Sequence, residues 1–282
     1  MATRVIYSRQ YPIVNPLSKR QYPLSLDFYS KGLSKAPKSV WRHVKLEKLN
    51  LADNRLKSIS KEIGNLSALR MLDLGHNELK SLPESLYELS KLEFLYLSAN
   101  RFKTVSQNIG KLKALIYLNI TDNQLTSIPE SIGELSHLIE LRLYNNQIES
   151  LPESIGALSK LQELHAMKNR LTSIPDSIGK LKSLKKLILQ GNAIPSLPDS
   201  IGDAARLTDL VLRLNRLASI PDSIGKLKNL RLLDLRANQL STLPDSLAGL
   251  KRLEKLDLRW NRITTTPKWF AQLRKRGCVI YV

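Results

Sequence analysis

An asparagine recurs every 23 residues through this chain: Asn54, Asn77, Asn100, Asn123, Asn146, Asn169, Asn192, Asn215, Asn238 and Asn261. An unbroken register of this kind constrains the fold more than composition does. A fixed period of about 20–50 residues marks an array in which one small unit is stacked on itself. Such a unit cannot bury its apolar face alone, so the 282 residues are expected to form one continuous stack.

The unit can be read position by position. Leucines stand eight, five and three residues before each Asn, as in Leu69, Leu72 and Leu74 before Asn77, or Leu253, Leu256 and Leu258 before Asn261. An apolar residue follows at plus two (Leu56, Leu79, Phe102, Leu125, Ile148) and another at plus five, then Pro in eight of the ten repeats, from Pro83 to Pro267. A further pair stands at plus nine and plus twelve, as in Ile132 and Leu135, with Gly between them in seven repeats. The alternation at minus five and minus three puts two side chains on one face of a short strand. The later spacing of three suits a helical turn. Proline is tolerated at the start of that turn, where its missing N–H has no intrahelical acceptor anyway.

The acids beside the proline (Glu84, Glu130, Glu153, Asp176, Asp199, Asp222, Asp245) face the positive end of the turn. They read as helix-start residues, not as a catalytic carboxylate row or a metal site. The repeated Asn carries an amide that both donates and accepts, which suits a buried ladder along the backbone where strand becomes loop.

The motif as it stands, Leu-x-x-Leu-x-Leu-x-x-Asn-x-Leu-x-x-Ile-Pro-x-x-Ile-Gly-x-Leu-x-x, resembles the leucine-rich repeat family over roughly residues 26–282. Its Pro-Glu/Asp-Ser-Ile-Gly-x-Leu segment is similar to the 23-residue class found in plant intracellular Ras-group proteins, animal Ras-suppressor-type proteins and many bacterial proteins, injected effectors among them. The resemblance implies an α/β solenoid: a horseshoe with a parallel β-sheet on the concave side and short helices or 3-10 turns on the convex side. It also implies a protein-binding module.

Both ends depart from the motif. Residues 1–24, with three prolines, three tyrosines and four basic residues, show no usable period and are expected to be a flexible basic lead-in. Residues 25–282 are expected to form a single repeat domain, with an N-terminal cap at 25–45 and a C-terminal cap at 264–282. In the first cap Leu26 and Phe28 take repeat positions, Lys31 replaces the Asn, and Trp41 with Val44 is expected to cover the open end of the core. In the second, the 23-residue register sets Val279 and Tyr281 where Leu256 and Leu258 stood, while Arg276 falls on a core-leucine position and ends the stack. Cys278 reads as a strand residue, not a nucleophile.

The net charge of +19 lies mostly at the ends: +8 in residues 1–48 and +4 in 268–282, leaving +7 for the 219 residues between. A lone cysteine excludes an internal disulfide framework and fits a reducing compartment. No stretch has the length of a membrane span, and no apolar block marks a Sec-type signal peptide. A cytoplasmic, monomeric protein is the expectation. The alternative is a bacterial effector delivered into a host cell by a non-Sec route, with the lead-in as its secretion segment.

Side chains at minus six, minus four and minus two point to the concave face, on a sheet of eleven repeat strands roughly 48 Å long. Across its middle, Phe94, Tyr96, Tyr117, Tyr144, His165, Met167, Ile188 and Val211 form a diagonal apolar and aromatic band, crossed by Arg142. Exposed side chains of this type on a rigid surface are what interface hot spots are made of. Beside the band Arg213, Arg236 and Arg259 stack one repeat apart, flanked by Asp234, Asp257 and Trp260. That row either clamps an acidic segment of a partner or is neutralised by its own aspartates. Both readings stay open.

The leading expectation is a non-catalytic scaffold that binds a partner protein on the concave sheet. A binder of nucleic acid or anionic membrane through the basic termini is the alternative from another class, weakened because the remaining Lys/Arg are spread over the outer loops. No cofactor is expected and no enzyme: there is no Gly-rich phosphate loop, no zinc spacing and no nucleophile–base–acid set. The four histidines (His43, His76, His137, His165) fall in different repeats and columns, so they form no metal set among themselves.

Overall fold

The computed structural model describes residues 22–282. Most of the expected lead-in, residues 1–21, lies outside them. Among the described residues twelve three-residue strands form one parallel sheet in chain order, with no crossover. Strand β1 (Ser25–Asp27) is followed by β2 (Lys48–Asn50), β3 (Met71–Asp73), β4 (Phe94–Tyr96), β5 (Tyr117–Asn119) and β6 (Glu140–Arg142). Then come β7 (Glu163–His165), β8 (Lys186–Ile188), β9 (Asp209–Val211), β10 (Leu232–Asp234), β11 (Lys255–Asp257) and β12 (Val279–Tyr281). Between strands the chain crosses the convex side in ten five-residue 3-10 turns, from Lys38–Arg42 to Asp245–Gly249, and finally in helix α1 (Phe270–Lys275).

Each strand turns its central residue inward. Leu49, Leu72, Leu95 and their successors to Leu256 are fully buried, as are the apolar residues of the 3-10 turns such as Ile63, Ile155 and Ile224. The prolines stand one residue before the turns in extended backbone, Pro83 at φ −67° and ψ 144°, so Glu84 and its equivalents open the turn. The glycines at plus ten lie against the serine of the next repeat. A Cβ added to Gly202 would come within 2.3 Å of the Ser223 carbonyl oxygen, so at this position only glycine allows so close an approach.

The Asn ladder is present at all ten positions and has a direction. The Oδ1 of Asn77 accepts from the Leu56 N–H at 3.0 Å, and its Nδ2 donates to the carbonyls of Leu51 (3.0 Å) and Leu74 (3.1 Å). Asn54 and Asn261, at the two ends, repeat this pattern. Each Asn therefore bonds to its own strand end and to the repeat before it. The residue preceding each Asn is left-handed, for example Asp53 (φ 56°), Leu214 (φ 57°) and Trp260 (φ 61°), with Gly191 (φ 70°) in the same column.

Two details at the caps differ from the sequence reading. At the first, the turn Lys38–Arg42 sends Val40 and Trp41 inward, whereas Val44 lies after the turn and is 53% exposed. At the second, β12 pairs Val279 with Lys255, Ile280 with Leu256 and Tyr281 with Asp257. Ile280 thus takes the inward place intended for Val279, which is 50% exposed. The cause is one extra residue: α1 replaces the 3-10 turn and the chain leaves it through Gly277 at φ 91°.

Candidate functional site

The concave face is built by the residues flanking each strand's inward leucine. In-register parallel pairing sets equivalent columns side by side: Phe94 beside Tyr117, Arg142 beside His165, Ile188 beside Val211. Parts of the band read from the sequence lie in contact with one another. The band is also far less exposed than expected. Phe94, Tyr117, His165, Ile188 and Val211 are each at most 4% exposed, Met167 and Arg142 9%. Neighbouring strands are close enough for these side chains to cover one another. Met167, Ile188 and Val211 make a second apolar cluster on this face, joined by Tyr144 and Leu232. The Tyr96 and Tyr117 rings lie 5.0 Å apart, and the Arg142 guanidinium sits 5.7 Å from the Tyr117 ring centre. Burial raises the Tyr117 phenol pKa well above its usual range, and its hydroxyl has no hydrogen-bond partner among the described residues. What the band offers to solvent is the partly open surface of Tyr96 and Tyr144.

Beside the band, β6, β7 and β8 bring a charged network together. Arg142 donates from Nε to Glu140 at 2.5 Å, His165 Nε2 lies 2.9 Å from Glu163 and 4.0 Å from Glu140, and Lys186 Nζ is 2.8 Å from Glu163. The hydrogen bond from His165, then the contact with Lys186, outweigh burial and lower the Glu163 carboxyl to about 2. Glu140, Glu163 and His165 could each turn one ligand atom to a metal ion, since these atoms all lie within 4.8 Å of one another. Their carboxylates are already matched by Arg142 and Lys186, so the set holds itself together as an ion-pair network. Comparing histidines only with one another missed this group; reading diagonally between the minus-six and minus-four columns would have found it.

The arginine row divides. Arg236 holds Asp234 through Nε (2.9 Å) and Nη2 (2.6 Å) and reaches Asp257 at 3.4 Å. Arg259 grips Asp257 in the same two-pronged way, at 2.9 and 2.7 Å, and lies over the rings of Tyr281 (4.8 Å) and Trp260 (5.6 Å). Asp257 is fully buried; burial works to raise its pKa, but Arg259 and Arg236 overcome this and the net shift is downward. These two arginines are therefore self-neutralised. Arg213 is not: its Nε bonds to the neutral Gln190 Oε1 at 2.6 Å, and it forms no ion pair among the described residues. Next to it Leu214 is 58% exposed on the rim, and Trp260 is 71% exposed in the same column. The sequence reading took Trp260 from this column but not Leu214; a large apolar residue in a column otherwise of small or polar residues was the available signal.

Among the described residues no helix is long and apolar enough to cross a membrane. Residues 101–195 match a leucine-rich repeat region model, and residues 44–102 and 205–263 match a leucine rich repeat model. No curated protein matches the chain. Among solved structures it is similar to a leucine-rich repeat protein of Leptospira interrogans, with 34% identity and a TM-score of 0.65, covering 87% of this chain and 74% of that one. It is also similar to the plant peptide hormone receptor RGFR1, solved in complex with RGF2, with 28% identity and a TM-score of 0.67. That match covers 88% of this chain but only 45% of the receptor chain. The functional domain of InlJ from Listeria monocytogenes shares the fold at 21% identity, with a TM-score of 0.75 over 91% of this chain and 52% of that one. In its repeat, its sheet and these likenesses, the chain belongs to the leucine-rich repeat family.

Proposed function

We propose that this protein is a non-catalytic interaction scaffold that binds a partner polypeptide on its concave sheet. The observation that carries the reading is the junction of the apolar band with Arg213, an arginine without a carboxylate beside it, at a rim where Leu214 stands open. An apolar stretch with an adjacent acidic side chain is the complement of that junction. Residues 25–282 act as one binding unit in this reading, its caps at 25–45 and 264–282. The likeness to a plant peptide hormone receptor solved in complex with RGF2 supports the binding of a polypeptide partner.

Binding is tested by affinity capture with mass spectrometry, comparing wild type with a Tyr96→Ala/Tyr144→Ala/Arg213→Glu variant. All three positions are partly open, so the fold is expected to survive, and circular dichroism checks that it does. A protein captured by wild type and lost by the variant supports the reading. Identical partners for both forms would remove the concave face as the site.

A further inference from the structure

The flank where each convex turn descends into its strand is electrically lopsided. Segments 180–186, 203–209, 226–232 and 249–255 contribute +4, −1, +3 and +2, or +8 together. The equivalent segments of the five preceding repeats (65–71, 88–94, 111–117, 134–140 and 157–163) contribute +1, −1, +2, −2 and 0, and cancel. On the charged part of this flank Lys185, Arg206, Thr208, Asn229, Arg231 and Arg252, from four successive repeats, line a shallow cleft of about 440 Å³.

Among the described residues one of the four cations is neutralised. Arg231 pairs with Glu254 at 2.7 Å. Lys185 reaches the neutral Gln162 Oε1 at 2.9 Å, and Arg252 the neutral Asn229 Oδ1 at 2.6 Å. Arg206 is exposed and has neither a hydrogen bond nor an ion pair from its side chain among the described residues. The nearby Asp209 carboxylate accepts from the Thr208 hydroxyl at 2.6 Å. Three cations along one cleft without an ion-pair partner among the described residues repel one another, and an anion of several charges relieves that repulsion more fully than a single carboxylate. Guanidinium forks match phosphate oxygens two at a time. No aromatic side chain lines the cleft for a nucleobase to stack on, and no apolar side chain lines it to anchor a peptide.

We propose that this cleft is a second binding site, separate from the concave face, for a ligand carrying two or more adjacent phosphate groups. The same chemistry is offered by a free polyphosphate-type anion and by a polyphosphorylated lipid headgroup, and the test distinguishes them. Inorganic triphosphate is titrated into the full chain by calorimetry. In parallel, the chain is sedimented with phosphatidylcholine vesicles with and without phosphatidylinositol bisphosphate. The test variant is Arg206→Glu/Arg252→Glu. A variant of equal charge change on distant exposed loops, Lys57→Glu/Lys80→Glu, is the control. Should the double variant not fold by circular dichroism, Arg206→Gln replaces it.

The expected result is triphosphate binding that weakens at least about tenfold in the test variant, a loss of about 1.4 kcal/mol or more, and is unchanged in the control. Binding to bisphosphate vesicles but not to triphosphate, with the same loss in the same variant, supports the site and makes the headgroup its ligand. The proposal is overturned if neither probe binds, if the test variant binds as well as wild type, or if the control loses as much.

Discussion

Replacing Asn123 with alanine measures what the ladder contributes. The side chain is 9% exposed. Its Oδ1 accepts from the Phe102 N–H at 3.0 Å, and its Nδ2 donates to the carbonyls of Leu97 at 3.0 Å and Thr121 at 2.9 Å. The Thr121 carbonyl keeps a second donor, the Ala99 N–H at 2.9 Å. The Leu97 carbonyl likewise keeps the Asn100 Nδ2 at 3.2 Å, so only the Phe102 N–H is left without a replacement among the described residues. At about 1–3 kcal/mol for a buried polar group left unpaired, the substitution costs about 1–3 kcal/mol. That is a large share of the roughly 5–15 kcal/mol that holds an ordinary domain together. Asn261→Ala removes equivalent bonds, but from a partly open position where water can replace them, so it falls at the low end. Asn123→Asp keeps the acceptor, loses both donors and turns an oxygen toward the Leu97 carbonyl; it is expected to match the alanine. Urea unfolding followed by circular dichroism, with the slope checked for constancy, gives the three values. A cost below about 1 kcal/mol for Asn123→Ala, or equal costs at the two positions, would refute the argument that the buried bonds of the ladder stabilise the stack.

Three further outcomes follow from the geometry. Gly202→Ala, whose Cβ would meet the Ser223 carbonyl oxygen, is expected to destabilise by about 1–3 kcal/mol, whereas Gly249→Ala, which meets only the flexible end of Lys228 at 3.2 Å, is tolerated; thermal melts compare them. Glu163 has its folded pKa lowered from 4.5 to about 2, so its stabilisation is complete above about pH 4.5 and is lost as pH falls toward 2. At most about 3 kcal/mol is at stake there, and Glu163→Gln should flatten the acid limb of stability against pH; an unchanged limb would mean that the network does not stabilise the fold. Leu214→Gly relieves an exposed left-handed leucine and is expected to raise stability by up to about 1 kcal/mol while weakening concave-face binding, so a loss of stability would show that the side chain packs.

The fold was legible because it is written in columns. Asn123 has identical neighbours 23 residues either way, and the inward direction of Leu118 and Ile120 follows from alternation alone. Direction, however, is all that alternation supplies. It does not state how closely the strands approach, so Phe94, Tyr117 and His165 read as exposed although neighbouring columns cover them. The row of three split at Arg213 because Asp234 and Asp257 stand two residues before Arg236 and Arg259 and pair with them, whereas Val211 stands before Arg213, a difference the sequence carried. The register of Val279 was lost because one added residue, accommodated by α1 and Gly277, shifts a two-residue alternation onto the opposite face.

The one-way bonding of the asparagines bears on how such a chain is made. Asn146 finds its inter-repeat partners at Ile120 and Leu125, both earlier in the chain, and none in the repeat that follows. A polypeptide leaves the ribosome N-terminus first, so each new repeat meets every partner its asparagine requires already outside the exit tunnel. Through its asparagine each course is keyed into finished work, while the strand beneath it, as at the Leu143 N–H and carbonyl, is closed by His165 and Asn169 of the course laid next.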